Sequence, residues 1–167
     1  MKHTIFNERP ECQDRLIKVL VNLGYKYVSR AEAEEKRKNL RNVIFEDELT
    51  RFLNTQKYKY KGLEYKFSGE SIVNAIRTID ASLLQGLAMA TKEIYNLLTL
   101  GISVEENIVI DKDMPTKQSF DLHFIDFEHP ENNIWQVTEE FSVERNNGQY
   151  ARPDIVIMLN GVPVVII

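Results

Sequence analysis

The run that most constrains this chain is its last, DIVIMLNGVPVVII, residues 154–167. Residues 155–159 and 164–167 are apolar without interruption, so neither piece alternates as a strand with one wet face does. Between them stands Asn160-Gly161, two residues that tolerate the positive φ of a tight hairpin turn. The pattern predicts two strands joined by that turn, both central and both covered on two faces. The covering layers must be helices.

The rest of the chain supplies them. Residues 8–23 carry Leu16, Ile17, Leu20 and Leu23 at helical spacing, with Gly24 as a stop. YKYV at 25–28 is a short extended piece, and the charge-dense stretch 30–42 reads as a solvated helix or loop. Residues 46–56 and 69–79 form amphipathic helices, and 82–99, closed by Gly101, forms the longest. Strand candidates then follow at 107–111, 119–126 and 133–144. In the last of these, Trp135, Val137, Glu139, Phe141 and Val143 alternate with Gln136, Thr138, Glu140 and Ser142. The fold class is therefore α/β or α+β, a mixed central sheet flanked by helices. One domain spans 1–167, with a helical part over about 8–100 and a strand-rich part over about 105–167. Trp135, Phe120, Phe124 and Phe141 are assigned to its core.

Composition narrows the setting. With 43% apolar and 28% charged residues, the chain is globular rather than disordered or fibrous. Residues 1–12 lack the apolar run of a signal peptide, and no stretch reaches the roughly 18 apolar residues of a membrane span. A single cysteine, Cys12, excludes an internal disulfide and a cysteine zinc cage, so a cytoplasmic location is expected. A net charge of −4 argues against a surface that grips nucleic acid all over, though not against a local basic groove. No G-x-x-x-x-G-K-[ST] phosphate loop and no G-x-S-x-G elbow occur, which excludes a P-loop ATP site and that form of serine catalysis.

Asp154 is the residue that asks for an explanation. A two-residue turn at Asn160-Gly161 sets Asp154 opposite Ile167. A three-residue loop with a bulge sets it opposite the position that follows. A carboxylate at the edge of a dry core is costly unless paired or metal-bound. Two such acids with a nearby lysine suit phosphodiester hydrolysis, because hard Mg²⁺ takes oxygen ligands and activates water. The plainer alternative, which strand physics alone favours, is an acid that ends a strand and faces solvent.

Two other clusters carry groups that could bind a ligand. KYKYKGLEYK at 57–66 interleaves lysine and tyrosine, which suits either a phosphate-and-stacking surface or a charged edge strand, the second being preferred. Asp121 and His123 share a strand face but have no third metal ligand in register.

RPDIVIMLNGVPVVII resembles the nuclease motif of the R subunit of type I restriction enzymes, which carries a PD-(D/E)xK domain at its N-terminus. The family pattern is R-P-D, an apolar strand, N-G, a proline, a second apolar strand, then E-x-K. Arg152, Pro153, Asp154, Asn160, Gly161 and Pro163 match it in order. FIDFEHPENNIWQV (124–137), LLTLGISV (97–104) and LIKVLVNLGYKY (16–27) extend the likeness over most of the chain.

The resemblance implies a restriction-endonuclease-like fold and a type I site-specific deoxyribonuclease subunit. It implies Mg²⁺ held in part by Asp154, with Glu8 on the first helix as a further candidate. The implied partners are double-stranded DNA and the methylation and specificity subunits, and ATP would be used only by motor domains absent from these residues. The E-x-K and the Q-x-x-x-Y helix that follows it are also absent, so the 167 residues alone are expected to be inactive as a nuclease. Glu139-Glu140 departs from the amide-containing pair expected there. A non-catalytic docking domain of the same fold is the alternative reading.

Overall fold

A computed structural model describes residues 8–84, 87–108, 116–144 and 148–167, with side chains from residue 12 onward except those of 82–91. Its centre is a four-stranded mixed sheet in the order β1 (Lys26–Val28), β6 (Trp135–Glu139), β9 (Ile155–Leu159) and β10 (Val162–Ile166). The pair β1/β6 is parallel; β6/β9 and β9/β10 are antiparallel.

The uninterrupted apolar sequence of β9 is explained by its two covered faces. Ile155 and Ile157 pack with Val137 against Leu20 of α1 (Glu8–Asn22), with Leu16 and Ile17 alongside. Val156 and Met158 pack on the other face against Val28, Ala33, Phe45 and Phe141. Ala33 belongs to α2 (Arg30–Arg37), and Phe45 precedes α3 (Glu46–Leu53). Every residue of β9 is buried. The mixed sheet with helices on it, an α+β arrangement, is what the sequence predicts.

A second apolar cluster lies beyond the 160–161 turn. It joins α3, the hairpin β2 (Lys57–Tyr60) with β3 (Leu63–Lys66), α4 (Gly69–Leu84), and the ribbon β4 (Ile102–Ile108) with β5 (Thr116–Leu122). Helix α5 (Leu87–Leu100) leads into that ribbon, and a short ribbon of β7 (Val143–Glu144) with β8 (Tyr150–Ala151) leads back toward β9. Among the described residues no helix is long and apolar enough to cross a membrane.

Several expectations need correction. Helix α4 runs to Leu84 and α5 starts at Leu87, so the break falls later than the predicted one between 79 and 82. Strand β4 starts at Ile102, five residues ahead of the predicted 107, and its predicted end at 109–111 lies outside the described residues. Its inward positions are Val104, Glu106 and Ile108, and the buried acid hides the alternation. Glu106 accepts from the Ser68 amide and hydroxyl (2.9 and 3.1 Å) at the start of α4. Strand β6 stops at Glu139 instead of 144 because Glu140 has φ +47 and turns the chain out of the sheet.

Strand β10 is not central. No strand pairs beyond it among the described residues, and Val165, Ile166 and Ile167 are exposed. Trp135 and Phe120 are only half-buried, whereas Phe124 and Phe141 are core residues.

Candidate active site

The hairpin β9–β10 has a closed end and an open end. At the closed end Leu159 pairs with Val162, so the turn holds the two residues Asn160 and Gly161. Asn160 is fully buried with φ +51. Its Oδ1 accepts from the Ile134 amide (2.7 Å), and its Nδ2 donates to the Phe124 carbonyl (2.9 Å) and to Asn133 Oδ1 (2.8 Å). Gly161 has φ +83, and a Cβ there would stand 2.4 Å from the Phe45 carbonyl oxygen. The Gly161 carbonyl accepts from the Phe45 amide at 2.7 Å, which fixes the start of α3 where no side chain caps it.

The loop that Asn160 grips is itself tied by side chains. Asn133 Nδ2 donates to the Asp126 carbonyl (2.7 Å), and Asn133 Oδ1 accepts from the Asp126 amide (2.9 Å). Asp126 accepts from Asn132 Nδ2 and the His129 amide, both at 2.8 Å, and these bonds hold its carboxyl below its ordinary range.

At the open end the register resolves the two pairings left open by the sequence. A bulge between Pro163 and Val165 shifts β10 by one residue after the two-residue turn. Ile155 and Ile167 then exchange both backbone hydrogen bonds, at 2.9 and 3.1 Å. Asp154 thus stands beside the position that follows Ile167. The bulge does what a longer loop would have done.

Asp154 itself is exposed at the head of β9. Its carbonyl accepts from the Glu140 amide (2.9 Å), and the Pro153 carbonyl accepts from the Phe141 amide (3.1 Å). Proline, which has no amide to donate, suits this strand entry. The reversal at Glu140 is anchored from below by Arg37, buried with its guanidinium 3.9 Å above the Phe141 ring. Arg37 donates to the carbonyls of Ser142 (2.8 Å), Ala33 (3.2 Å) and Asn42 (3.3 Å), and burial lowers its pKa.

The Glu139-Glu140 pair now has a structural account. Glu139 accepts from the Tyr27 hydroxyl at 2.5 Å across β1/β6. That bond first, then burial and the Glu139 charge, push the Tyr27 phenol up to about 12. Glu140 Oε2 accepts from Arg30 Nη1 (3.2 Å) and from Arg152 Nη1 (3.1 Å). Sequence reasoning missed Glu140 as a neighbour of Asp154, and Arg30 as a partner of Glu140. The one available signal was the unexpected Glu-Glu itself.

Helix α1 is joined to β1 by a three-residue turn and packs antiparallel to it, so its first turn, with Glu8, points toward the Asp154 end of the sheet. The Glu8 side chain lies outside the described residues. Among the described residues no group of three or more His, Cys, Asp or Glu side chains is arranged to hold a metal. Mg²⁺ asks for less, since it keeps several waters and takes one or two carboxylates. Asp154 is a donor of the right kind, and one donor is half of such a set.

The other candidates resolve into structure. Asp121 and His123 share an exposed face along an open groove of about 780 Å³, lined also by Gln56 and Asp126. Gln56 pairs through its side-chain amide with the His123 backbone, donating to its carbonyl and accepting from its amide at 3.0 Å, as a neighbouring strand would. Tyr58 and Tyr65 stack on each other and Tyr58 on Phe120, so these rings are not offered to bases, while Lys57 and Lys59 both lean on Glu64.

With this geometry in hand, likeness to known proteins is informative. The model of the family described as type I restriction enzyme R protein N terminus matches residues 5–167. Over 165 residues the chain is 27% identical to a Methanocaldococcus jannaschii protein described as the MjaIXP type I restriction enzyme endonuclease subunit. That match spans 96% of this chain and 15% of the relative, so the chain corresponds to a small part of the relative's length.

Proposed function

Because the chain belongs to the family of type I restriction enzyme R protein N termini, we propose that it is the endonuclease domain of a restriction subunit, hydrolysing DNA phosphodiester bonds. Asp154 is read as one of two acidic ligands of Mg²⁺, and Glu8 as a further acid reaching the same place from α1. The observation that carries this reading is the register of β9 and β10. It puts the position after Ile167 beside Asp154 and on the same strand pair, which is where the family pattern has its E-x-K.

The chemistry follows from the residue types. When bound, the metal would polarise the phosphodiester and supply an activated water. Asp154 would hold it at a fixed height, since its own carbonyl is pinned by Glu140 and its strand is buried on both faces. The lysine of the E-x-K would offset negative charge developing on the phosphate. In the complete subunit, ATP would serve the motor domains, double-stranded DNA would be the substrate, and methylation and specificity subunits the partners, in the cytoplasm.

The test is the Asp154→Ala variant of the full-length subunit, assayed for Mg²⁺-dependent cleavage in the assembled complex. Cleavage should fall on the order of 10²–10³-fold, the scale of losing one group that stabilises the transition state, with ATP hydrolysis unchanged. Parental cleavage by Asp154→Ala would refute the assignment and favour a docking domain.

A further inference from the structure

Charged side chains meet at the open end from just beyond β1, just beyond β6 and just ahead of β9. Val28 faces Thr138 in the parallel pair, and two residues beyond each stand Arg30, which opens α2, and Glu140, which leaves β6. Glu139 faces Ile155 in the antiparallel pair, so one position on Glu140 comes level with Asp154. The side chains complete the row, with both Arg30 and Arg152 donating to the same oxygen of Glu140.

Each partner is held in place. Ser29 caps α2 by accepting from the Glu32 amide, which sets Arg30 at the first helical position. Arg30 Nε also donates to Glu34 at 2.9 Å. Glu140 is fixed by its left-handed backbone and by the hydrogen bond its amide donates to the Asp154 carbonyl. The two arginine side chains nevertheless stay about half exposed, 46% for Arg30 and 55% for Arg152. A guanidinium has five N–H donors in a fixed fork, and that fork matches the paired oxygens of a phosphate.

Building on the nuclease reading, we infer that Arg30 and Arg152, aligned by Glu140, form a clamp for a backbone phosphate of the duplex adjacent to the one at Asp154. Such contacts fix the register of a duplex without reading its sequence. Glu140 is then a positioning residue that keeps both forks on the Asp154 side of the sheet. The lysine hairpin β2–β3 is the less suitable grip, because its lysines offer point charges instead of forks and its stacked tyrosines face the core.

The experiment is duplex binding by the full-length subunit, followed by fluorescence anisotropy across a salt series without divalent metal. Arg30→Ala and Arg152→Ala should each weaken binding about fivefold, the scale of one net hydrogen bond. Each should also lower the slope of log affinity against log salt by about 0.9, on any sequence, while Lys59→Ala changes neither. If an alanine variant melts early, Arg152→Lys decides the matter, since it keeps the charge and loses the fork. It should bind between the parent and Arg152→Ala.

Parental affinity and slope in both alanine variants, or parental binding by Arg152→Lys after an early-melting alanine variant, overturn the clamp even if Asp154→Ala abolishes cleavage. Continued cleavage by Asp154→Ala overturns the nuclease reading instead, and binding losses in the arginine variants would then still support a phosphate clamp.

Discussion

The two ends of one hairpin, β9–β10, are built on opposite principles. At the 160–161 end the side chain of Asn160 is buried and makes three hydrogen bonds, and Gly161 leaves no room for a methyl group. At the Asp154 end the backbone is equally well tied, but the side chains are charged, exposed and gathered around Glu140. Both ends contribute residues to the same short sequence pattern. The difference teaches that such a pattern mixes two kinds of residue: Asn160 and Gly161 hold the hairpin, and Arg152 and Asp154 stay exposed outside its packing.

The largest effect that tests this division belongs to Gly161→Ala. The backbone there is left-handed, and the added Cβ would meet a carbonyl oxygen of the segment that starts α3. Backbone strain and the loss of the Phe45 hydrogen bond together should cost about 3 kcal/mol. In a chain of this size that lowers Tm by roughly 6–12 °C, which differential scanning calorimetry would measure. A Tm within about 1 °C of the parent would mean that α3 shifts freely, and the contrast between the two ends would collapse.

How much of this was legible in the sequence follows from the range of the forces involved. Helix α1 and strand β9 announce themselves because their periodicity is local and their burial nearly complete. The class of fold and the prominence of Asp154 come from that same local signal. The start of strand β4 is hidden in the sequence because Glu106 breaks its pattern, and the reason for that acid's burial, the Ser68 end of α4, lies 38 residues away. Gln136 and Thr138 look like the wet face of β6 but are fully buried, because α2, Phe45 and Phe141 cover that side. Arg37 reads as one charge in a basic cluster and is instead the support of the Glu140 reversal. The Arg30–Glu140 contact spans 110 residues and arises from the parallel β1/β6 pairing, which no local pattern encodes.

A smaller effect sharpens the comparison from the open end. The Tyr27–Glu139 bond holds the phenol protonated, with a folded pKa of about 12 against an ordinary 10.0. A raised value means that the stabilisation is whole below pH 10 and drains away as pH rises toward 12. Because Tyr27 is 38% exposed, solvent screening reduces the contribution to about 1 kcal/mol. Tyr27→Phe should therefore be about 1 kcal/mol less stable than the parent at pH 8 in urea denaturation, and the gap should close by pH 12. A gap that persists unchanged at high pH would show that packing, not the hydrogen bond, makes the difference.

The smallest expected effect is the most telling. Asp154→Asn keeps the shape of the side chain, and both hydrogen bonds that anchor this stretch run through backbone carbonyls, those of Pro153 and Asp154. The carboxylate is exposed, and Glu140, whose amide donates to the Asp154 carbonyl, is already engaged by two arginines. Removing the charge therefore breaks no contact on which the sheet depends. The change in unfolding free energy should stay within about 0.5 kcal/mol, as for ordinary surface sites. That prediction concerns stability alone, so it can fail while the cleavage test succeeds. A loss of about 2 kcal/mol would place Asp154 with Asn160 and Gly161 as a residue that builds the hairpin. A null result beside the large cost of Gly161→Ala would mean that this strand pair keeps its stability at one end and leaves the acid at the other end unneeded for folding.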